Sequence, residues 1–164
     1  MQMLNRYFTP FALILILSAI YYSEPEPQDA KMSLGILGLS ILVNWWLAAH
    51  AYRYIRWAGL MKSLQVIMNF LWSVPLVYLL VPYWAPMWLL FVMPPVTAAL
   101  TLSRAATTVS AGTCAATLLA VYSLRNPLEG PALGMACVHA AFIVIFALFV
   151  HALAQTALRL LSAR

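Results

Sequence analysis

Residues 131–154 read PALGMACVHAAFIVIFALFVHALA, a run of 24 residues without a lysine, arginine, aspartate or glutamate. A helix rises about 1.5 Å per residue, so about 20 apolar residues cross the roughly 30 Å hydrocarbon core of a bilayer. The rest of the chain is similar, since 65% of its 164 residues are hydrophobic and 8% are charged. A soluble fold of this size cannot bury so much apolar surface. The sequence therefore predicts an integral membrane protein.

Five further apolar segments precede this run. The six predicted spans are residues 8–22, 33–52, 64–81, 84–102, 107–124 and 131–154. The linkers between them are too short to hold a soluble domain, and several contain prolines, which favour turns. The sequence predicts an all-α fold, a polytopic transmembrane helical bundle that forms a single integral membrane domain over residues 1–164.

The basic residues predict the orientation of this bundle. With the N-terminus inside, seven lysines and arginines face the cytoplasm and two face outward, which is the bias expected of inner loops. The inner set is Arg6, Arg53, Arg56, Lys62, Arg104, Arg159 and Arg164, and the outer pair is Lys31 and Arg125. We expect both termini in the cytoplasm, and a bacterial inner membrane as the location.

Several classes of function are disfavoured by what the spans contain. All four acidic residues fall in predicted outer loops, so paired carboxylates for acid–base catalysis or proton relay are not available inside the bundle. No metalloprotease motif, C-x-x-C pair or phosphate-binding loop is present in the sequence. The net charge of +5 is scattered singly, which argues against nucleic acid as a partner. We expect a protein that is not an enzyme and has no metal site.

The two cysteines are predicted to be small packing residues. Cys114 and Cys137 lie on neighbouring predicted helices, at depths that differ by roughly 11 Å at 1.5 Å per residue. Disulfides need Cα atoms within about 7 Å of each other. We therefore expect no disulfide between them.

The histidines are the candidate cofactor ligands. His50 and His151 lie at similar predicted depths near the cytoplasmic ends of two different spans, which is the arrangement that a bis-imidazole haem requires. Ionisable residues in a membrane are functional candidates. The alternative is that each imidazole hydrogen-bonds to a neighbouring hydroxyl or carbonyl, and no cofactor is then expected.

A second set of residues is predicted to pack helices together. Ser40 and Asn44 share a face of the second span, Gln65 and Asn69 share a face of the third, and amides in lipid need partners. His139 is placed with these interior polar residues. The fifth span is rich in small residues around Gly112, which predicts close helix contacts there.

Prolines mark two predicted breaks. Pro75 lies in the third span, and Pro94 and Pro95 lie near the middle of the fourth. A proline supplies no N–H to the carbonyl four residues earlier, so the pair frees acceptors at Leu90 and Phe91. We expect kinks at all three prolines.

The layout resembles a known family. Leu64–Gln65 open the third span, the stretch FVMPPVTAALTLS (91–103) and Arg104 close the fourth, and Ala154–Arg159 lead out of the sixth. This pattern is similar to the six-helix membrane sensor region of bacterial histidine kinases that resemble the pilus regulator PilS. The resemblance implies a sensor input region, whose kinase part is not in this chain.

Three interpretations of function follow from the sequence. The first is a non-catalytic module that packs against a partner, as a sensor input region does in signal transduction. The second is an accessory or assembly subunit of a membrane protein complex. The third is a small haem- or quinone-binding protein. Lipid, other membrane subunits or further copies of the chain are the expected partners.

Overall fold

The computed structural model describes residues 2–51, 58–125 and 130–162, with side chains over 8–47, 59–125 and 130–162. All regular structure in these ranges is helical, so the predicted all-α fold is confirmed. The helices are α1 (Gln2–Ser23), α2 (Pro27–Ala51), α3 (Ala58–Leu80), a 3-10 helix (Ala85–Val92), α4 (Met93–Thr101), α5 (Arg104–Arg125) and α6 (Pro131–Ser162).

Four of these helices are long and apolar enough to cross a membrane. Their qualifying segments are Pro27–Leu47, Gly59–Leu80, Arg104–Arg125 and Pro131–Ser162. Each has at least 21 residues, which corresponds to about 30 Å or more of helix. The chain is therefore an integral membrane protein. Two shorter apolar segments, Phe8–Ser23 and Ala85–Thr101, correspond to the first and fourth predicted spans.

The contacts divide the chain into two compact units, Met1–Leu90 and Phe91–Arg164. In the first unit, α2 packs against both α1 and α3. The buried residues of α1 include Leu15, Ile16 and Ala19, which recur at helical spacing and so form one face.

In the second unit, α4, α5 and α6 all pack against one another. The buried face of α6 recurs every three or four residues and consists mostly of alanine. Its members are Ala136, Ala140, Ile143, Ala147 and His151. The buried face of α5 is likewise made largely of small side chains, namely Thr107, Ala111, Cys114, Ala115, Leu118 and Val121. Small residues let helix backbones approach closely, which is how helices associate in lipid.

Gly112 does not lie on this packed face, contrary to the sequence prediction. It is exposed, and a Cβ at this position would have no neighbouring atom within 4 Å. Small residues occur on every side of α5, so its composition does not show which side faces the neighbouring helices. Ala111, one residue earlier, is fully buried.

The proline pair lies at a junction between two helices, and the predicted kink at Pro75 stays a prediction. Pro94 and Pro95 lie in the first turn of α4, directly after the 3-10 helix. Proline is well suited to the first turn of a helix, because the N–H that it lacks has no partner there. The pair therefore marks a change of helix type. Pro75 lies inside α3, which continues through it to Leu80.

Candidate functional site

His151 binds a backbone carbonyl at the end of a neighbouring helix. The residue is 7% exposed, and its Nδ1 lies 3.0 Å from the carbonyl oxygen of Ala99. A carbonyl oxygen can only accept, so Nδ1–H is the donor. Because α4 ends at Thr101, the carbonyl of Ala99 is among the last four of that helix, which have no partner within it. His151 on α6 thus caps the C-terminus of α4.

The predicted pairing of His50 with His151 stays a prediction. His50 is the second-last residue of α2, and its side chain lies outside the described residues. The bond that His151 makes is the hydrogen bond to a carbonyl that the cofactor-free alternative expects. A metal-binding or haem-binding histidine commonly makes the same bond with its second nitrogen.

His139 pairs with a tyrosine in the second unit. Its Nδ1 lies 3.2 Å from the hydroxyl of Tyr122, and the two rings meet edge to face with centroids 6.1 Å apart. The histidine is half-buried, so it lies at the margin of the α5–α6 contact. Twelve residues separate it from His151 on α6, which is about 18 Å along the axis.

Asn44 and Asn69 meet across α2 and α3, as the shared spacing of their faces predicted. The Nδ2 of Asn44 lies 3.4 Å from the Oδ1 of Asn69. Ser40 and Gln65, on the same faces, are both buried. This polar cluster joins the two helices through their side chains.

Ser73 stabilises the chain where the prolines interrupt it. Its hydroxyl lies 3.2 Å from the carbonyl oxygen of Leu90 and 2.8 Å from that of Asn69. The single hydroxyl proton is therefore shared between the carbonyl of Asn69, on its own helix, and that of Leu90, in the 3-10 helix. The sequence predicted a free acceptor at Leu90 because of Pro94, but Leu90 lies in a 3-10 helix, where bonds join residues three apart, and Pro94 lies in the first turn of α4.

Aromatic residues gather around the end of the first unit that contains the turn after α3. The hydroxyl of Tyr83 donates to Asp29 over 3.2 Å, and Tyr22 stacks on Trp84 with ring centroids 6.1 Å apart. Partial burial and the hydrogen bond to Asp29 raise the pKa of Tyr83 above its ordinary value of 10. Rings that combine an apolar body with a polar tip favour the membrane interface.

A polar cavity of about 570 Å³ lies beside the turn between α4 and α5. Two arginines line it, together with three neutral polar side chains and His151. The polar lining residues are Ser103, Arg104, His151, Gln155, Thr156 and Arg159. The sequence marked the two arginines only as topology signals, because nothing in their spacing shows that they share a cavity.

Cysteine and metal chemistry are not organised in the described residues. Cys114 is buried, as expected of a packing residue, whereas Cys137 is exposed, contrary to that expectation, and both are free thiols. Within residues 2–51, 58–125 and 130–162, no group of three or more metal-binding side chains comes together.

Comparison with known protein families, with characterised proteins and with solved structures finds no match to this chain.

Proposed function

We propose that the chain is a non-catalytic membrane module that acts by packing its helices against a partner. The observation that carries this proposal is a face of α5 that nothing covers within the second unit. Four small residues of this face recur every four positions, and all of them are exposed: Thr108, Gly112, Ala116 and Ala120. A repeat of small residues at this spacing is the pattern through which transmembrane helices associate.

The opposite face of α5 is the one that packs within the unit. Lipid chains are as apolar as a leucine side chain, so no hydrophobic effect drives helices together in the membrane. Exposed small residues instead favour association because they let two helix backbones approach closely. Two separate small-residue faces on one helix are therefore suited to two neighbours. One neighbour is within this unit, and the other is a partner helix.

The proposed topology is six spans with both termini inside. The 3-10 helix and α4 contain 8 and 9 residues, which supply up to about 30 Å because a 3-10 helix rises about 2.0 Å per residue. This is close to the thickness of the hydrocarbon core. The seven-to-two distribution of basic residues supports the orientation, and a bacterial inner membrane is the proposed location.

The layout resemblance makes a sensor input region the first form of this function. An accessory subunit of a membrane complex is the second, and the exposed face of α5 supports both equally. Co-purification in mild detergent separates them: a kinase partner supports the sensor, and a multi-subunit complex of fixed stoichiometry supports the accessory subunit. A haem absorption band in the purified protein would instead support the redox interpretation built on His50 and His151.

The experiment that tests partner packing compares wild type with Ala116→Leu on the exposed face of α5. We expect the partner, or a second copy of the chain, to be lost from the purified complex, because a leucine there blocks close backbone approach. Val138→Leu, at an exposed position of α6 and therefore outside the proposed α5 face, is the matched control and should keep the partner. Unchanged co-purification by Ala116→Leu would contradict the proposal.

A further inference from the structure

The cavity beside the α4–α5 turn concentrates positive charge at one end of the second unit. Arg104 is the first residue of α5, and Arg159 lies in the last turn of α6. The lining residues of α6 recur three or four positions apart, from Leu148 through Gln155 to Arg159, and therefore share one face of that helix. The fold thus brings two guanidinium groups that are 55 positions apart in sequence to the same cavity.

These charges are not neutralised by the second unit. Neither arginine forms an ion pair in the part of the chain that the structure describes. Residues 91–164 contain one acidic side chain, Glu129, which lies outside the described residues. Arginine side chains donate through a planar fork that fits the oxygens of carboxylates and phosphates.

The start of α5 adds further donors to the same place. The Oγ of Ser103 accepts the backbone N–H of Ala106 over 3.3 Å and so caps the helix. This arrangement leaves the serine proton to donate. The backbone N–H groups of the first turn and the positive end of the helix dipole also favour an anion at this position.

His151 also lines the cavity. This side chain is buried and fixed by its bond to Ala99, and its ring contributes to the lining. The cavity therefore combines exposed cations with a buried and oriented polar group.

We propose that this cavity binds a phosphate-type oxyanion, held by Arg104, Arg159 and the N-terminus of α5. Two sources carry this chemistry, namely the head group of an anionic phospholipid and a soluble phosphate compound. Basic cavities between transmembrane helices on the cytoplasmic side are suited to anionic head groups, and the proposed topology places this end of α5 there.

The test uses the full chain in mild detergent with two probes. In the first arm, native mass spectrometry measures retention of phosphatidylglycerol against phosphatidylcholine. In the second arm, inorganic phosphate is titrated and the melting temperature is followed. Preferential retention of phosphatidylglycerol identifies a lipid site, whereas a rise in melting temperature with phosphate alone identifies a soluble ligand. We expect Arg104→Gln and Arg159→Gln each to weaken binding of the probe that binds the wild type, phosphatidylglycerol or phosphate, roughly tenfold.

Two further variants keep the outcome interpretable. Arg125→Gln removes one positive charge from the opposite end of α5 and should leave binding unchanged. Arg104→Lys keeps the positive charge but loses the planar fork of donors, so it should bind with intermediate affinity. Such partial binding shows that the loss in Arg104→Gln reflects the missing contact and not a failure to fold. Equal retention of both lipids with no response to phosphate would overturn the proposal. An equal loss of binding in Arg125→Gln would overturn it too, because attraction would then be general rather than local.

Discussion

At the scale of single residues, two buried polar side chains bind backbone carbonyls of other helices. His151 binds the carbonyl of Ala99, and Ser73 binds that of Leu90. A buried carbonyl without a partner costs about 1–3 kcal/mol, and water is not available in the hydrocarbon core to replace the lost donor. These two bonds therefore have a structural role that requires no cofactor.

The role of His151 predicts different effects for two substitutions. His151→Ala removes the donor and should lower the free energy of unfolding by about 1 kcal/mol, between the average for helix–helix hydrogen bonds in membranes and the cost of an unsatisfied carbonyl. His151→Asn keeps an amide N–H at about the position of Nδ1 and should retain more stability. Reversible unfolding in mixed micelles, followed by circular dichroism, measures both variants. Equal stability of the alanine and asparagine variants would show that the bond to Ala99 contributes nothing.

Some of these contacts could be predicted from the sequence and others could not. Asn44 and Asn69 were predictable, because an amide on an apolar helix needs a partner and each shares a face with a second polar residue. The bond between His151 and Ala99 joins residues 52 positions apart. It depends on where α4 ends and on which turn of α6 lies beside that end, and neither is encoded in local spacing. The arginine cavity was missed for the same reason.

At the scale of helices, apolar pattern predicts which segments are helical better than it predicts where they end. The sixth span was predicted over residues 131–154, and α6 continues to Ser162. The additional residues, QTALRLLS, are mostly good helix formers but are less apolar, so they extend the helix without extending the hydrophobic run. Similarly, α1 begins at Gln2 although the first apolar run begins at Phe8. Hydropathy shows which residues lie within the membrane, whereas backbone hydrogen bonding determines where the helix begins and ends.

An alanine-to-leucine substitution should change the stability of the chain on one face of α5 and not on the other. Ala111 is fully buried against its neighbours, so Ala111→Leu should overpack this contact and cost about 1–3 kcal/mol. Ala116 is exposed, and Ala116→Leu should leave the stability of the isolated chain within about 0.5 kcal/mol of wild type. Unfolding in detergent under conditions where the chain is monomeric measures both. Equal destabilisation by the two variants would mean that α5 is enclosed on both sides.

At the scale of the whole molecule, charge and helix length argue for the same arrangement. The basic residues lie near the ends of the long helices. Most of them fall on the same side of the membrane only if the segment over the 3-10 helix and α4 also crosses it. If that segment stayed on one side, Arg104 and Arg159 would lie on the side opposite the predicted inner loops. The mixed 3-10 and α segment is therefore the element on which the topology depends.

Single-cysteine labelling in intact cells tests this arrangement directly. In a chain with Cys114 and Cys137 replaced by alanine, cysteines are placed one at a time at Glu26, Ala105, Ser123 and Ser162, all of which are exposed. With six spans and an inner N-terminus, a membrane-impermeant maleimide should label positions 26 and 123 from outside, and positions 105 and 162 only after the cells are opened. If α1 and the 3-10/α4 segment do not cross, positions 26, 105 and 162 must behave alike and position 123 must differ. The relation between positions 26 and 105 is thus decisive: opposite labelling shows that the proline-containing segment crosses the membrane, and equal labelling rules out the six-span topology.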